Sequence, residues 1–351
     1  MPDLRSLTHG ARVVFFSGKG GVGKTTLAAA TAVAESDAGR RVLLVSTDPA
    51  HNLGHLFGTR LADSPTTLST HDDGGRLDAL EIDPAATSER HLKEVGKTIR
   101  AMMPEHLHRE VDRYLRLAAE APGTHEASVL ERIAELTEQV VGDEAPAPDA
   151  HGGTAPGRAD GRAGRTRDAG YDVVVFDTAP SGHTARLMEL PEMMTAWTDG
   201  LLKRREASEK FGAAVAGLGG KSDAADARDA QIRSVLTRRR KRFARLRELL
   251  ADAERTAFVL VLAAERLPVA ETIEFAQQLH RQGIGVRSLV VNKRSPAGAG
   301  DFMARRRSQE EPFVADLAAA LPRTPVLNIQ LAPDEIRGLE GLLAVPDLLE
   351  S

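Results

Sequence analysis

The segment Gly18-Lys19-Gly20-Gly21-Val22-Gly23-Lys24-Thr25 constrains this chain more than any other, because it fits G-x-x-x-x-G-K-[ST] between two segments of opposite periodicity. Arg12 to Phe16 is an apolar run that reads as a buried strand, and Thr25 to Glu35, rich in Ala and Leu, reads as a helix. A strand, a glycine-rich loop and a helix in that order make a phosphate-binding loop. Glycines let backbone N–H groups turn inward around phosphates, Lys24 neutralises the β and γ oxygens, and the Thr25 hydroxyl ligates Mg²⁺. The nucleotide-binding set expected from the motif is Gly18, Lys19, Gly20, Gly21, Val22, Gly23, Lys24, Thr25 and Thr26, with ATP and Mg²⁺ as cofactors.

The rest of the chain extends this βα start. Arg41 to Ser46 is a second apolar strand, Leu77 to Ile82 a third and Tyr171 to Phe176 a fourth. Phe258 to Ala263, Val286 to Val291 and Pro325 to Gln330 follow, alternating with helices at about Val269 to Arg281, Gln309 to Ala320 and Asp334 to Leu343. The pattern predicts an α/β fold, a doubly wound, mostly parallel sheet over a single domain of residues 1–351. Helical patterns at about 88–141, broken at Pro104 and Pro122, and at about 184–250 read as insertions forming a helical subdomain. Residues 142–170 are almost entirely Gly, Ala, Pro, Asp and Arg, too poor in apolar groups to offset the entropy of ordering, and are expected to be a disordered insertion.

Two carboxylates end strands on the side where the phosphate loop lies. Asp177 closes YDVVVF and is expected to hold Mg²⁺, through water; Asp48, two residues past RVLLVS, is placed to orient or deprotonate the attacking water. The catalytic set is therefore Asp48, Lys24 and Lys19, and the metal set Thr25 and Asp177. No cysteine is present, which excludes disulfides, thiolate metal sites, iron–sulfur clusters and cysteine nucleophiles. A formal charge of −4 gives no global attraction to nucleic acid. The run Arg238 to Arg242 reads as the solvated face of an amphipathic helix. With no secretory h-region near Met1 and no apolar stretch of about 20 residues, the chain is expected in the cytoplasm without an integral membrane segment.

GKGGVGKTT, STDPAHNLG and DTAPSGHT together resemble the family of the arsenite-pump ATPase and the ATPases that target tail-anchored membrane proteins. LMELP at Leu187 to Pro191, VVNKR at Val290 to Arg294 and EIRGLEGL at Glu335 to Leu342 extend the likeness over nearly the whole chain. The resemblance implies an ATP-hydrolysing homodimer that closes around two nucleotides, and it makes Lys19 a deviant Walker A lysine reaching the partner's phosphates. It also implies that Asn292 contacts the adenine base. The chain departs from the family where cysteines are needed, for a metalloid site or for a zinc joining the dimer.

In the targeting ATPases a hydrophobic groove receives a client's transmembrane helix. Met102, Met103, Met188, Met193, Met194, Trp197, Leu201 and Leu202 fall in the corresponding segments here, so an apolar helix or a membrane protein is the expected partner. Two alternatives stand beside this one: a regulatory or positioning ATPase of the MinD and ParA type, and the ATPase subunit of an arsenite-type efflux system. His51 and His183, in the loops after the second and fourth strands, read as structural hydrogen-bonding groups.

Overall fold

A computed structural model describes residues 3–8, 10–48, 52–102, 108–119, 124–141, 170–178, 199 and 223–350. An eight-stranded sheet organises them, in the order β3-β4-β2-β5-β1-β6-β7-β8. The strands are β1 (Val13–Gly18), β2 (Arg41–Ser46), β3 (Thr66–Thr70), β4 (Arg76–Glu81), β5 (Val173–Asp177), β6 (Thr256–Ala263), β7 (Val286–Arg294) and β8 (Val326–Gln330). All neighbours run parallel except β3, which pairs antiparallel with β4 at the edge. The expected α/β architecture is the one observed.

β1 and β5 are buried along their whole length, which is why they read as unbroken apolar runs rather than alternating ones. Val13 and Phe15 of β1 enter one core, while Val14 and Phe16 enter the core on the opposite face. Phe15 lies in register with Phe176 of β5 and Phe258 of β6. Its ring stacks on both, with centroids 4.8 Å away in each case. Three adjacent strands are thus pinned just below the glycine loop.

Helices α1 (Lys24–Asp37), α2 (Asn52–Phe57), α3 (Pro84–Met102), α4 (His108–Ala119), α5 (Thr124–Val141), α6 (Asp223–Ala251), α7 (Arg266–Arg281), α8 (Asp301–Ala320) and α9 (Gly338–Leu343), with short 3-10 helices at Leu4–Leu7 and Val345–Leu348, complete the described elements. Leu130, Ile133 and Leu136 of α5 and Phe243 and Leu246 of α6 join the same core as the sheet. Within the arginine run, Arg239 pairs with Glu131 and Arg242 with Glu135 and Glu138 of α5, while Arg238, Arg240 and Lys241 stay exposed. Residues 142–169 of the expected insertion, most of the helical stretch at 184–222, His51, His183, Trp197, Leu201, Leu202 and the methionines 103, 188, 193 and 194 lie outside the described residues.

The structure adds α2 and β3, neither of which the sequence pattern reveals, and moves the starts of two helices. β3 has no counterpart in the sequence pattern, because Thr66-Thr67-Leu68-Ser69-Thr70 is a half-exposed edge strand with no apolar run to reveal it. α8 begins at Asp301 rather than near Gln309, in a charged first half without apolar periodicity, and it continues through Pro312. The helix expected over Asp334 to Leu343 is confined to Gly338–Leu343, because Arg337 is extended with φ −139° and ψ 145°.

Candidate active site

β1 is the strand at which the sheet's winding reverses: the chain passes from β1 to β2 on one side, and after β5 crosses to β6 on the other. A crevice therefore opens beyond the carboxyl ends of β5, β1 and β6, where α/β proteins bind ligands. The loop of residues 18–24 lines it. A Cβ on Gly18 would stand 2.0 Å from the Val261 carbonyl oxygen of β6, so only glycine allows the loop to leave β1 so close to its neighbour. Gly23 adopts φ 93°, and a Cβ there would meet Asn292 Nδ2 at 2.4 Å.

The side chains named from sequence come together around this loop. Thr25 Oγ1 donates to Asp177 Oδ2 at 2.7 Å, joining residues 152 positions apart. Register places Asp177 beside Phe16 of β1 and Ser46 of β2, so the carboxylate emerges between the loop and Asp48. Asp177 is fully buried, and its Oδ1 makes no hydrogen bond among the described residues. Burial pushes its carboxyl up to about 6, opposed by the Thr25 hydrogen bond and the Lys24 charge and reinforced by Asp48. Lys24 is 6% exposed and donates to the Lys19 carbonyl at 3.1 Å. Its burial lowers the ammonium's pKa, while Asp177 and Asp48 act the other way.

Two features escape sequence reasoning. Lys19 Nζ pairs with Glu271 Oε1 of α7 at 3.0 Å, across 252 positions of chain that carry no local signal of the contact. Asn292 Nδ2 donates to the Val22 carbonyl at 2.8 Å, and the neighbouring Lys293 Nζ to the Gly21 carbonyl, also at 2.8 Å. Because a carbonyl only accepts, the first contact fixes the Asn292 amide with its Oδ1 turned away from the loop. A cleft of about 810 Å³ runs from Gly20, Lys24, Thr25, Thr26 and Asp48 past Asn292 to residues 331–337. That is ample for a nucleotide.

A glycine loop opening a helix at the switch point of a parallel sheet, with a buried carboxylate on the adjacent strand, defines a P-loop nucleoside triphosphatase. The profile of the anion-transporting ATPase family matches residues 11–351, and the chain belongs to that family of ATP-hydrolysing enzymes. It is 30% identical to the ATPase ASNA1 homolog of Trypanosoma cruzi, over 97% of this chain and 92% of that one. It is 29% identical to the ATPase GET3 of Paracoccidioides lutzii, over 96% of this chain and 90% of the other. With the arsenical pump-driving ATPase of Escherichia coli it shares 30% identity over 94% of its own length, which covers 48% of that relative.

Proposed function

We propose that the protein is a Mg²⁺-dependent ATPase that works in the cytoplasm as a homodimer, coupling hydrolysis to a partner that presents an apolar helix. The observation that carries the reading is the convergence of Lys24, Thr25, Asp177 and Asp48 at three adjacent strand ends, with Thr25 and Asp177 joined at 2.7 Å. Lys24 would neutralise the β and γ oxygens, Thr25 Oγ1 and Asp177 would hold Mg²⁺, and Asp48 would orient the attacking water. The donor set suits a hard divalent cation: a hydroxyl and a buried carboxylate whose Oδ1 lacks a protein partner among the described residues. When bound, Mg²⁺ supplies charge neutralisation on the phosphate oxygens.

Asn292 selects the base. With Nδ2 committed to Val22, Oδ1 accepts from an exocyclic amine, as adenine offers, and would repel the guanine carbonyl at that position. Lys19 reaches the phosphates of the second protomer when the dimer closes, exchanging its ion pair with Glu271 for that contact. The partner is inferred from the resemblance to the targeting ATPases. A metalloid held by thiolates, as pump driving would suggest, has no cysteine to bind it here.

The test compares wild type with Asp48→Asn for mass by light scattering and phosphate release with Mg-ATP, with and without a synthetic apolar transmembrane peptide. The expected result is a dimer in ATP, turnover that the peptide alters, and at least about a hundredfold loss in Asp48→Asn. Turnover indifferent to the peptide would remove the apolar-helix partner. A monomer that Asp48→Asn leaves equally active would sink the mechanism.

A further inference from the structure

We propose that Lys293 is a positioning residue for nucleotide binding, which together with Asn292 grips the outward-facing carbonyls of the phosphate loop and so holds its N–H groups toward the phosphates. The inference rests on reading Gly18 to Thr25 as the phosphate-binding loop. Consecutive residues of a strand point to opposite faces. Asn292 and Lys293 are consecutive, yet their side chains take the adjacent carbonyls of Val22 and Gly21, each at 2.8 Å. A regular strand cannot do this.

The backbone departs from regularity at this point. Lys293 has φ 59°, making it the only non-glycine residue with positive φ among those described, and the pairing of β7 with β8 shifts register between Val291 and Arg294. A lysine is strained in this left-handed conformation, which glycine or asparagine adopts more readily. Both flanks hold it there. On one side Asn292 is fixed to Val22; on the other Arg294, 1% exposed, pairs with Glu310 at 3.1 Å and Glu311 at 2.7 Å, and Ser295 Oγ donates to Glu310 at 2.6 Å. The strain is retained because it turns the ammonium onto Gly21.

In a phosphate loop the peptide N–H groups face the anion, so the carbonyls face outward and need partners of their own. Lys293 and Asn292 are those partners for two successive peptides. Losing the ammonium lets the Gly21 peptide rotate, which weakens binding of nucleotides that place a β-phosphate in the loop and spares the monophosphate.

The experiment titrates ATP, ADP and AMP against wild type, Lys293→Met, Lys293→Arg, Lys293→Gly and, as a control on the loop itself, Lys24→Ala, and follows thermal unfolding of each. Lys293→Met is expected to bind ATP and ADP about tenfold more weakly with AMP unchanged, and to raise KM while kcat stays near wild type. Lys293→Arg should recover most of the affinity. Lys293→Gly should lose affinity equally while its melting temperature holds or rises, because glycine relieves the strained φ. ATP affinity of Lys293→Met within about twofold of wild type, while Lys24→Ala loses binding, would overturn the inference and leave the loop reading intact. A loss that extends equally to AMP would also overturn it, since the effect would then lie at the base or ribose. Undiminished ATP binding in Lys24→Ala would instead overturn the loop reading and this inference with it.

Discussion

On the reading proposed above, the cleft has a phosphate end at residues 18–25 and a base end beyond Asn292, and the two are built on opposite plans. At the phosphate end the groups are buried and the strands beneath them are locked: Asp177 is fully enclosed, Lys24 nearly so, and Phe15 stacks between Phe176 and Phe258 directly below the loop. At the base end β8 is half-buried, β7 carries a register shift, and the wall beyond it is the irregular segment 331–337. Transfer of a phosphoryl group depends on fractions of an ångström, whereas a flat base tolerates more play. Rigidity has been placed where the chemistry demands it.

Truncation at matched positions measures that contrast. Phe15→Ala removes a fully buried ring from a three-ring stack and is expected to cost about 3–5 kcal/mol in urea unfolding. Leu327→Ala, on half-buried β8, should cost about 1 kcal/mol. If the two losses came within about 1 kcal/mol of each other, the base end would be as tightly built as the phosphate end and the comparison would break.

The same contrast decides what can be read from sequence. Each motif at the phosphate end is contiguous and follows an apolar run, so Lys24, Thr25, Asp48 and Asp177 can be named from local pattern, and their convergence follows from strand ends in one parallel sheet. Asn292 is reachable only through the resemblance. Lys293 carries no signal, because a lysine gives no hint of a left-handed backbone, and the strain becomes visible only with both flanks anchored. β3 is hidden by its threonines, and Glu271 by its distance along the chain from Lys19.

Asp177→Asn tests whether burial at the phosphate end lowers stability for the sake of function. The native carboxyl titrates at about 6, against 3.8 as the ordinary value, so between those pH values the folded protein binds more protons than the unfolded chain. Stability of the nucleotide-free protein should therefore fall as pH rises through that window and level off above it. Asparagine carries no such penalty. The variant is expected to be more stable than wild type by on the order of 2–3 kcal/mol at neutral pH, with the advantage vanishing as the pH approaches about 4, while ATP turnover falls at least about a hundredfold. Denaturant midpoints measured from about pH 4.5 to about pH 8 check this. Parallel curves for the two proteins would mean that burying Asp177 carries no penalty.

The smallest effect belongs to the pair at the loop's outer edge. Lys19 and Glu271 are 39% and 37% exposed, so Glu271→Gln should change stability by less than about 1 kcal/mol. On the proposed dimer, in which Lys19 reaches the second protomer, Glu271 competes within one protomer for that ammonium, so removing its charge should tighten ATP-dependent dimerisation by up to about fivefold, the equivalent of about 1 kcal/mol. Sedimentation across a concentration series reads the change. In a Lys19→Met background Glu271→Gln should make no difference to dimerisation, since the two residues act through one contact. Weaker dimerisation in Glu271→Gln alone would reverse the assignment: Glu271 would then aim Lys19 at the second protomer, and the outer edge would belong with the preorganised phosphate end.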